Sequence, residues 1–259
     1  MLLAVDIGNT QTHIGVFRAE ELAHEWRAAT EPSRTADELA LMFGQFLSLA
    51  DLSFSRQITG VVIASVVPKA TQELRQMTER YFGFSPVVVE PGTKTGVSIK
   101  IDNPREAGAD RIANAVAAHH LFPDESAVVV DFGTAITVDA VSARGEYLGG
   151  AIAPGIETAA SGLFSLTAQI RRVELIAPQH AIGKSTVQAV QSGIVFGTAA
   201  LVDGLIERVS NELDGSVEVV ATGGLATVVT EHCRMVKRVE PMLTLLGLRL
   251  VFERNVSED

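Results

Sequence analysis

Cysteine is almost missing from this chain: Cys233 is the only one in 259 residues. It can form neither an intrachain disulfide nor a thiolate metal cluster, which fits a reducing compartment and makes Cys233 a bystander. Positive charge is also scarce. The 21 Lys and Arg are outnumbered by 31 Asp and Glu, for a formal net charge of −10. A broad nucleic-acid surface needs clustered cations, so no nucleic-acid partner is expected and an anionic ligand has to be bound locally. Aromatic residues are only 5% of the total against 47% hydrophobic, so the core should be aliphatic. No apolar run approaches the roughly 20 residues that cross a bilayer. The start reaches Asp6 too soon, and without a basic leader, to be a signal peptide. The expectation is a cytoplasmic protein with no membrane partner. Two nucleotide motifs are absent as well. There is no Gly-x-Gly, hence no dinucleotide fingerprint. Gly183-Lys184-Ser185-Thr186 lacks the Gly five residues earlier that a phosphate loop needs, since Pro178 stands there.

What is present is a segment that occurs twice. Val5-Asp6-Ile7-Gly8-Asn9-Thr10-Gln11-Thr12-His13-Ile14 has the order apolar run, Asp, apolar residue, Gly, small polar residue, alternating strand. Val130-Asp131-Phe132-Gly133-Thr134-Ala135-Ile136-Thr137-Val138 repeats it. A turn glycine lets backbone N–H groups approach phosphate oxygens, and the hydroxyls of Thr10, Thr12 and Thr134 add donors. The two Asp side chains would hold cations. One such turn is an ordinary hairpin, but two in the same context point to a nucleotide triphosphate and phosphoryl transfer.

At this length two medium domains are expected, 1–118 and 119–259. Strands are read over 2–7, 12–17 and 22–29, a helix from Thr35, a strand over 60–67, a helix over 68–82 and a strand over 86–90. A long connection over 91–105 leads to Gly108-Ala109-Asp110-Arg111 at the first turn of a helix. The second half repeats the meander over 127–132, 135–142 and 147–153. A helix to 169, a loop over 171–183 and a long helix to about 213, capped by Ser185 or Thr186, follow. A strand over 217–221 opens into Thr222-Gly223-Gly224-Leu225-Ala226. A strand over 235–239, a helix over 241–252 and a frayed tail over 253–259 complete an α/β fold of mixed sheets flanked by helices.

Asp110 has two readings. It stabilises the helix dipole with Arg111 as a solvated partner, or it is a general base beside an anion site made by Arg111 and free helix N–H groups. Gly193, Gly197, Ala200 and Gly204 line one side of the long helix. They permit close packing, either within the subunit or at a dimer contact.

These motifs resemble, in the expected order, those of the acetate and sugar kinase, heat-shock chaperone and actin superfamily, whose members have two ribonuclease-H-like domains around a nucleotide cleft. The resemblance to type III pantothenate kinases is closer and covers almost the whole chain. It rests on Asp-Ile-Gly-Asn-Thr at 6–10, Asp-Asn-Pro-Arg-Glu-Ala-Gly-Ala-Asp-Arg at 102–111, Asp-Phe-Gly-Thr-Ala at 131–135 and Gly-Lys-Ser-Thr at 183–186. The resemblance implies ATP-dependent phosphorylation of pantothenate to 4′-phosphopantothenate, the first step towards coenzyme A. It implies that Asp6, Ile7, Gly8, Asn9, Thr10, Gln11, Thr12 and His13, with Thr134, line the ATP phosphates, and that Asp6 organises magnesium through water. It implies Asp131 as the site of a monovalent cation, potassium or ammonium. Gly108, Ala109, Asp110 and Arg111 would hold pantothenate, Asp110 taking the hydroxyl proton. Thr186 would reach pantothenate from a partner subunit, so that the active site belongs to a homodimer. Two positions depart from the pattern: Ile101 stands where many members have Tyr, and Ser185 where Asn is common. A sugar or acetate kinase and a non-catalytic ATP-binding regulator are the competing readings. The 102–111 segment speaks against the first, and retention of Asp6, Asp110 and Asp131 against the second.

Overall fold

The computed structural model describes residues 1–54, 56–166 and 172–256, which form two compact units. The first contains 1–117 and the C-terminal helix; the second contains 118–242.

In the first unit, β1 (Leu2–Ile7), β2 (Gln11–Arg18) and β3 (Glu21–Ala29) form an antiparallel meander, and β4 (Gly60–Ser65) and β5 (Val87–Val88) extend it in parallel, in the order β3-β2-β1-β4-β5. β1 is central and buried on both faces, as its unbroken apolar run requires. Leu3, Val5 and Ile7 join Ile14, Val16, Val61 and Ile63 in one core. There they meet Phe43 and Leu47 of α1 (Ala36–Leu49) and Leu74 and Met77 of α2 (Pro68–Tyr81). Thr35 caps α1 in a reciprocal box with Glu38. β4 stops before the expected residue 67 because the Ser65 hydroxyl bonds the backbone of Val67, donating to its carbonyl and accepting its N–H, and turns the chain. The 91–105 connection carries a two-residue strand β6 (Ser98–Ile99) and ends at a 3-10 turn over Pro104–Glu106.

The helix α3 (Ala109–Leu121) carries the chain into the second unit. There β7 (Ser126–Phe132), β8 (Ala135–Val141) and β9 (Glu146–Pro154) repeat the meander, and β10 (Val217–Thr222) and β11 (Arg238–Val239) add to it in parallel. These five strands run β9-β8-β7-β10-β11, the order of the first unit. The core joins Val128, Val130, Ile136 and Val138 to α4 (Ile156–Leu166), α5 (Thr186–Ser210) and α6 (Ala226–Thr230). The expected helix ending at 169 and the start of the loop at 171 lie outside the described residues; 172–183 has no regular structure.

Three further expectations change. By length and composition α5 could cross a bilayer, although no run of that length was expected; half of its apolar window is buried within the protein. Val190, Val195, Val202 and Ile206 place that buried side in the second unit's core. The last helix, α7 (Leu243–Val256), belongs with the first unit, not with the half that precedes it in sequence. Gly247 lies so close to the backbone of Ala113 that a β-carbon there would clash. The helix also runs through 253–256, where a frayed tail was expected. Arg254 donates to the Thr95 carbonyl and Asn255 to that of Lys94, which tie its end down.

Candidate functional site

The first Asp-Gly turn joins β1 to β2. Asp6 pairs in register with His13, and Ile7 with Thr12. Gly8 N–H donates to the Gln11 carbonyl at 3.0 Å, closing the turn and leaving Asn9, Thr10 and Gln11 exposed. Thr30, just after β3, completes the arrangement: its N–H donates to the Thr10 carbonyl at 2.9 Å and its hydroxyl to the Gly8 carbonyl at 2.8 Å. Having one proton, Thr30 must accept at its 2.9 Å contact with the hydroxyl of Thr12. Thr12 is therefore a buried donor to Thr30 rather than a donor offered outward. The side chain of Ile7 lies in the core, so only its backbone is available to a ligand. His13 is buried, and its Nε2 lies 2.8 Å from a Glu25 carboxylate oxygen. Burial lowers its pKa below the ordinary 6.5, and the bond to Glu25 opposes the shift in part.

In the same unit, residues 108–111 form the entry to α3. Asn103 caps the preceding 3-10 turn by accepting from Arg105 N–H. Ile112 N–H then donates to the Gly108 carbonyl, the first bond of the helix. Asp110 Oδ1 accepts from Arg111 N–H at 2.8 Å, and a β-carbon at 108 would run into that oxygen. The carboxylate is thus fixed in a helix's first turn, where the backbone N–H groups and the helix dipole favour negative charge.

The second Asp-Gly turn is one residue shorter. Asp131 pairs with Thr137 on β8 and with Thr222 on β10. Gly133 N–H donates to the Ala135 carbonyl at 3.0 Å. Gly155, just after β9, donates its N–H to the Thr134 carbonyl at 3.1 Å, and the Thr158 hydroxyl donates to the same oxygen at 2.7 Å. Gly223 has φ +99°, and a β-carbon on it would meet the backbone of Phe132 and the carboxylate of Asp131. Gly223, the first glycine after β10, therefore lies directly against the strand end that leads into the second turn.

Gly183-Lys184-Ser185-Thr186 is a helix start. Ser185, the N-cap of α5, accepts from Gln188 N–H at 3.2 Å, while the Gln188 side chain accepts from Lys184 N–H at 3.0 Å. Thr186 is exposed in the first turn and opens onto a cleft shared with Leu163, Lys184, Ala189 and Gly193. Among the described residues, and apart from the helix's own turns, nothing lies within 4 Å of a β-carbon built on Gly193, Gly197 or Gly204, so no close approach of another element requires glycine there. Cys233 is half-buried, and burial, with Asp203 nearby, pushes its thiol up to about 12, which leaves it unreactive.

Each unit thus offers an anion-type turn with a carboxylate two residues before its glycine, and the first adds a fixed carboxylate at a helix entry. Among the described residues, no group of three or more His, Cys, Asp or Glu is placed to hold a metal ion. A hard divalent ion that keeps most of its waters and takes one carboxylate and substrate phosphates fits Asp6 better than a protein cage would. The sequence pattern pointed to Asp6, Asp110, Asp131, Thr134 and the glycines. Thr30, Gly155 and Thr158 were missed; their only sequence signal is their place just after the third strand of each repeat.

The model of the type III pantothenate kinase family matches residues 2–208. A type III pantothenate kinase of Frankia casuarinae is 56% identical over 257 residues, covering 99% of this chain and 100% of that protein. One from Frankia alni is 54% identical with the same coverage. Among solved structures, the activator of the 2-hydroxyisocaproyl-CoA dehydratase from Clostridium difficile, with bound ADPNP, aligns with a TM-score of 0.57 at 12% identity, covering 99% of this chain and 96% of that one. That likeness is one of fold, consistent with two ribonuclease-H-like domains.

Proposed function

The chain belongs to the type III pantothenate kinase family, and from that premise we propose how its residues divide the transfer of a phosphoryl group from ATP to pantothenate in coenzyme A biosynthesis. The protein is a kinase, with pantothenate and ATP as its substrates. The observation that carries the division of roles is the Asp110 carboxylate, held at the entry of α3 by Arg111 N–H.

Asp110 is the general base. It accepts the proton of the primary hydroxyl of pantothenate as that oxygen attacks the terminal phosphorus and ADP departs. Residues 108–111 orient pantothenate, Arg111 and the helix N–H groups facing its carboxylate. The turn at residues 6–13 and Thr134 of the second turn bind the ATP phosphates, Ile7 through its backbone, while Thr12 shapes the turn through the hydroxyl it gives to Thr30. Asp6 would hold magnesium through water, and the chemistry supplied there would be neutralisation of the charge on the phosphates. Asp131, half-buried between Thr137 and Thr222, is the site of a monovalent cation, potassium or ammonium. The outward glycines of α5 support a homodimer in which Thr186 of one subunit reaches pantothenate bound to the other. Ile101 contributes no hydroxyl to the substrate. The single, unreactive cysteine fits a cytoplasmic enzyme.

The test is ADP formation from magnesium-ATP and pantothenate with potassium or sodium as sole monovalent cation, for wild type and Asp110→Asn. Turnover should require potassium, and Asp110→Asn should lower kcat by about 10²- to 10⁴-fold, the usual worth of a general base. Full activity in Asp110→Asn removes Asp110 as the base. Equal activity in sodium overturns a site at Asp131 that selects potassium or ammonium.

A further inference from the structure

Both phosphate turns are closed by one device, and its residues lie outside the turns. In the first repeat, Thr30 follows the last residue of β3, and its N–H and hydroxyl take the carbonyls of Thr10 and Gly8. In the second, Gly155 follows the last residue of β9; its N–H takes the Thr134 carbonyl, and the Thr158 hydroxyl takes the same oxygen at 2.7 Å. The backbone bond recurs at equivalent places, 2.9 Å from Thr30 to Thr10 and 3.1 Å from Gly155 to Thr134. Each repeat adds one threonine hydroxyl.

We propose that Thr30 and Thr158 are positioning residues for ATP, their hydroxyls drawing the turn carbonyls toward the end of the third strand and away from the phosphates. A carbonyl oxygen facing a phosphate repels it, whereas a turn whose carbonyls are already bonded presents N–H groups to an anion without reorganising when it arrives. Thr30 does more than Thr158. Its oxygen also accepts from the buried Thr12 hydroxyl, so one side chain sets the orientation of a second residue of the motif. This proposal rests on the reading that residues 6–13 and Thr134 hold the ATP phosphates.

The experiment compares Thr30→Val, Thr30→Ser, Thr158→Val and Thr158→Ser with wild type, measuring KM for ATP, KM for pantothenate, kcat and Tm. Valine keeps the shape and removes the hydroxyl; serine restores it. Thr30→Val should raise KM for ATP about 10-fold and Thr158→Val about 3-fold, the size expected for one hydrogen bond that shapes a charged site. KM for pantothenate should stay unchanged, and each serine variant should return close to wild type. A wild-type KM for ATP in folded Thr30→Val and Thr158→Val overturns the proposal. So does a fall in Tm and kcat that serine does not rescue and that leaves KM for ATP unmoved, because a merely structural threonine behaves that way. Thr158 is exposed, so its variant provides the test should Thr30→Val not fold. Asn9→Ala and Thr10→Ala separate the premise: unchanged KM for ATP in both removes the ATP reading of the first turn itself, whatever the threonine variants do.

Discussion

At the scale of single residues, His13 makes stability depend on pH. In the folded chain it is buried, and its pKa is lowered below 6.5 by loss of hydration, with the Glu25 bond only partly offsetting this. Glu25 is 43% exposed, so water screens its charge. Above 6.5 histidine is neutral in both folded and unfolded chains and contributes no pH dependence. Below it, the unfolded chain takes up a proton that the folded chain resists, so stability falls as pH falls towards the lowered folded value. Urea unfolding of wild type and His13→Gln should therefore give midpoints whose dependence on pH diverges below about 6.5, the wild type falling more steeply. Parallel curves would mean that His13 is protonated as easily in the fold as in water. The Asp, Gly and Thr of each turn could be read from the chain because their spacing is local and occurs twice. Thr30 could not. A threonine after a strand looks like any strand end, and its function lies in bonds to Gly8 and Thr12, 22 and 18 residues earlier.

At the scale of elements, the start of α5 shows how a motif and a cap can be confused. Gly-Lys-Ser-Thr looks like the end of a phosphate loop, yet Ser185 accepts from Gln188 N–H and Gln188 accepts from Lys184 N–H. These are the bonds of a helix N-terminus. The absence of the upstream glycine was readable, and it led to the right assignment. Which of Ser185 and Thr186 served as the cap was not, since either hydroxyl suits the position and only the backbone decides. Ser185→Ala should cost about 1 kcal/mol of stability in urea or thermal unfolding, as loss of an N-cap does. Lys184→Ala should leave KM for ATP at the wild-type value. A large rise in KM for ATP in Lys184→Ala would restore the phosphate-loop reading. The same locality explains β4. Its apolar run continues to residue 67, and only the bonds between Ser65 and Val67 end the strand sooner.

At the scale of the molecule, the two halves share one strand order, 3-2-1-4-5 in each unit's own numbering, and the duplication in sequence foretold it. The return of α7 to the first unit was not legible. Its buried residues Leu243, Leu245, Leu248, Leu250 and Val251 announce burial on most sides without naming the partner. Gly247 against Ala113, and the Thr244 hydroxyl donated to the Asn114 side chain, mark α3 as the helix it meets. Assembly poses the same problem one level up, because among the described residues no other element lies within 4 Å of where β-carbons would stand on Gly193, Gly197 and Gly204, and that pattern names no partner by itself. A shared active site makes an arithmetic prediction. Let one subunit carry Asp110→Asn and the other Thr186→Ala, co-expressed with separate tags. If Thr186 serves the partner's site, each mixed dimer has one site with both substitutions and one with neither. Random pairing makes half of the dimers mixed, so roughly a quarter of wild-type sites are intact. The purified mixed dimer should then turn over pantothenate with the wild-type KM at about half the wild-type rate. Were Thr186 to serve its own subunit, every site would carry one substitution or the other. The mixed dimer would then only average the two defective parents, and the shared site would be ruled out.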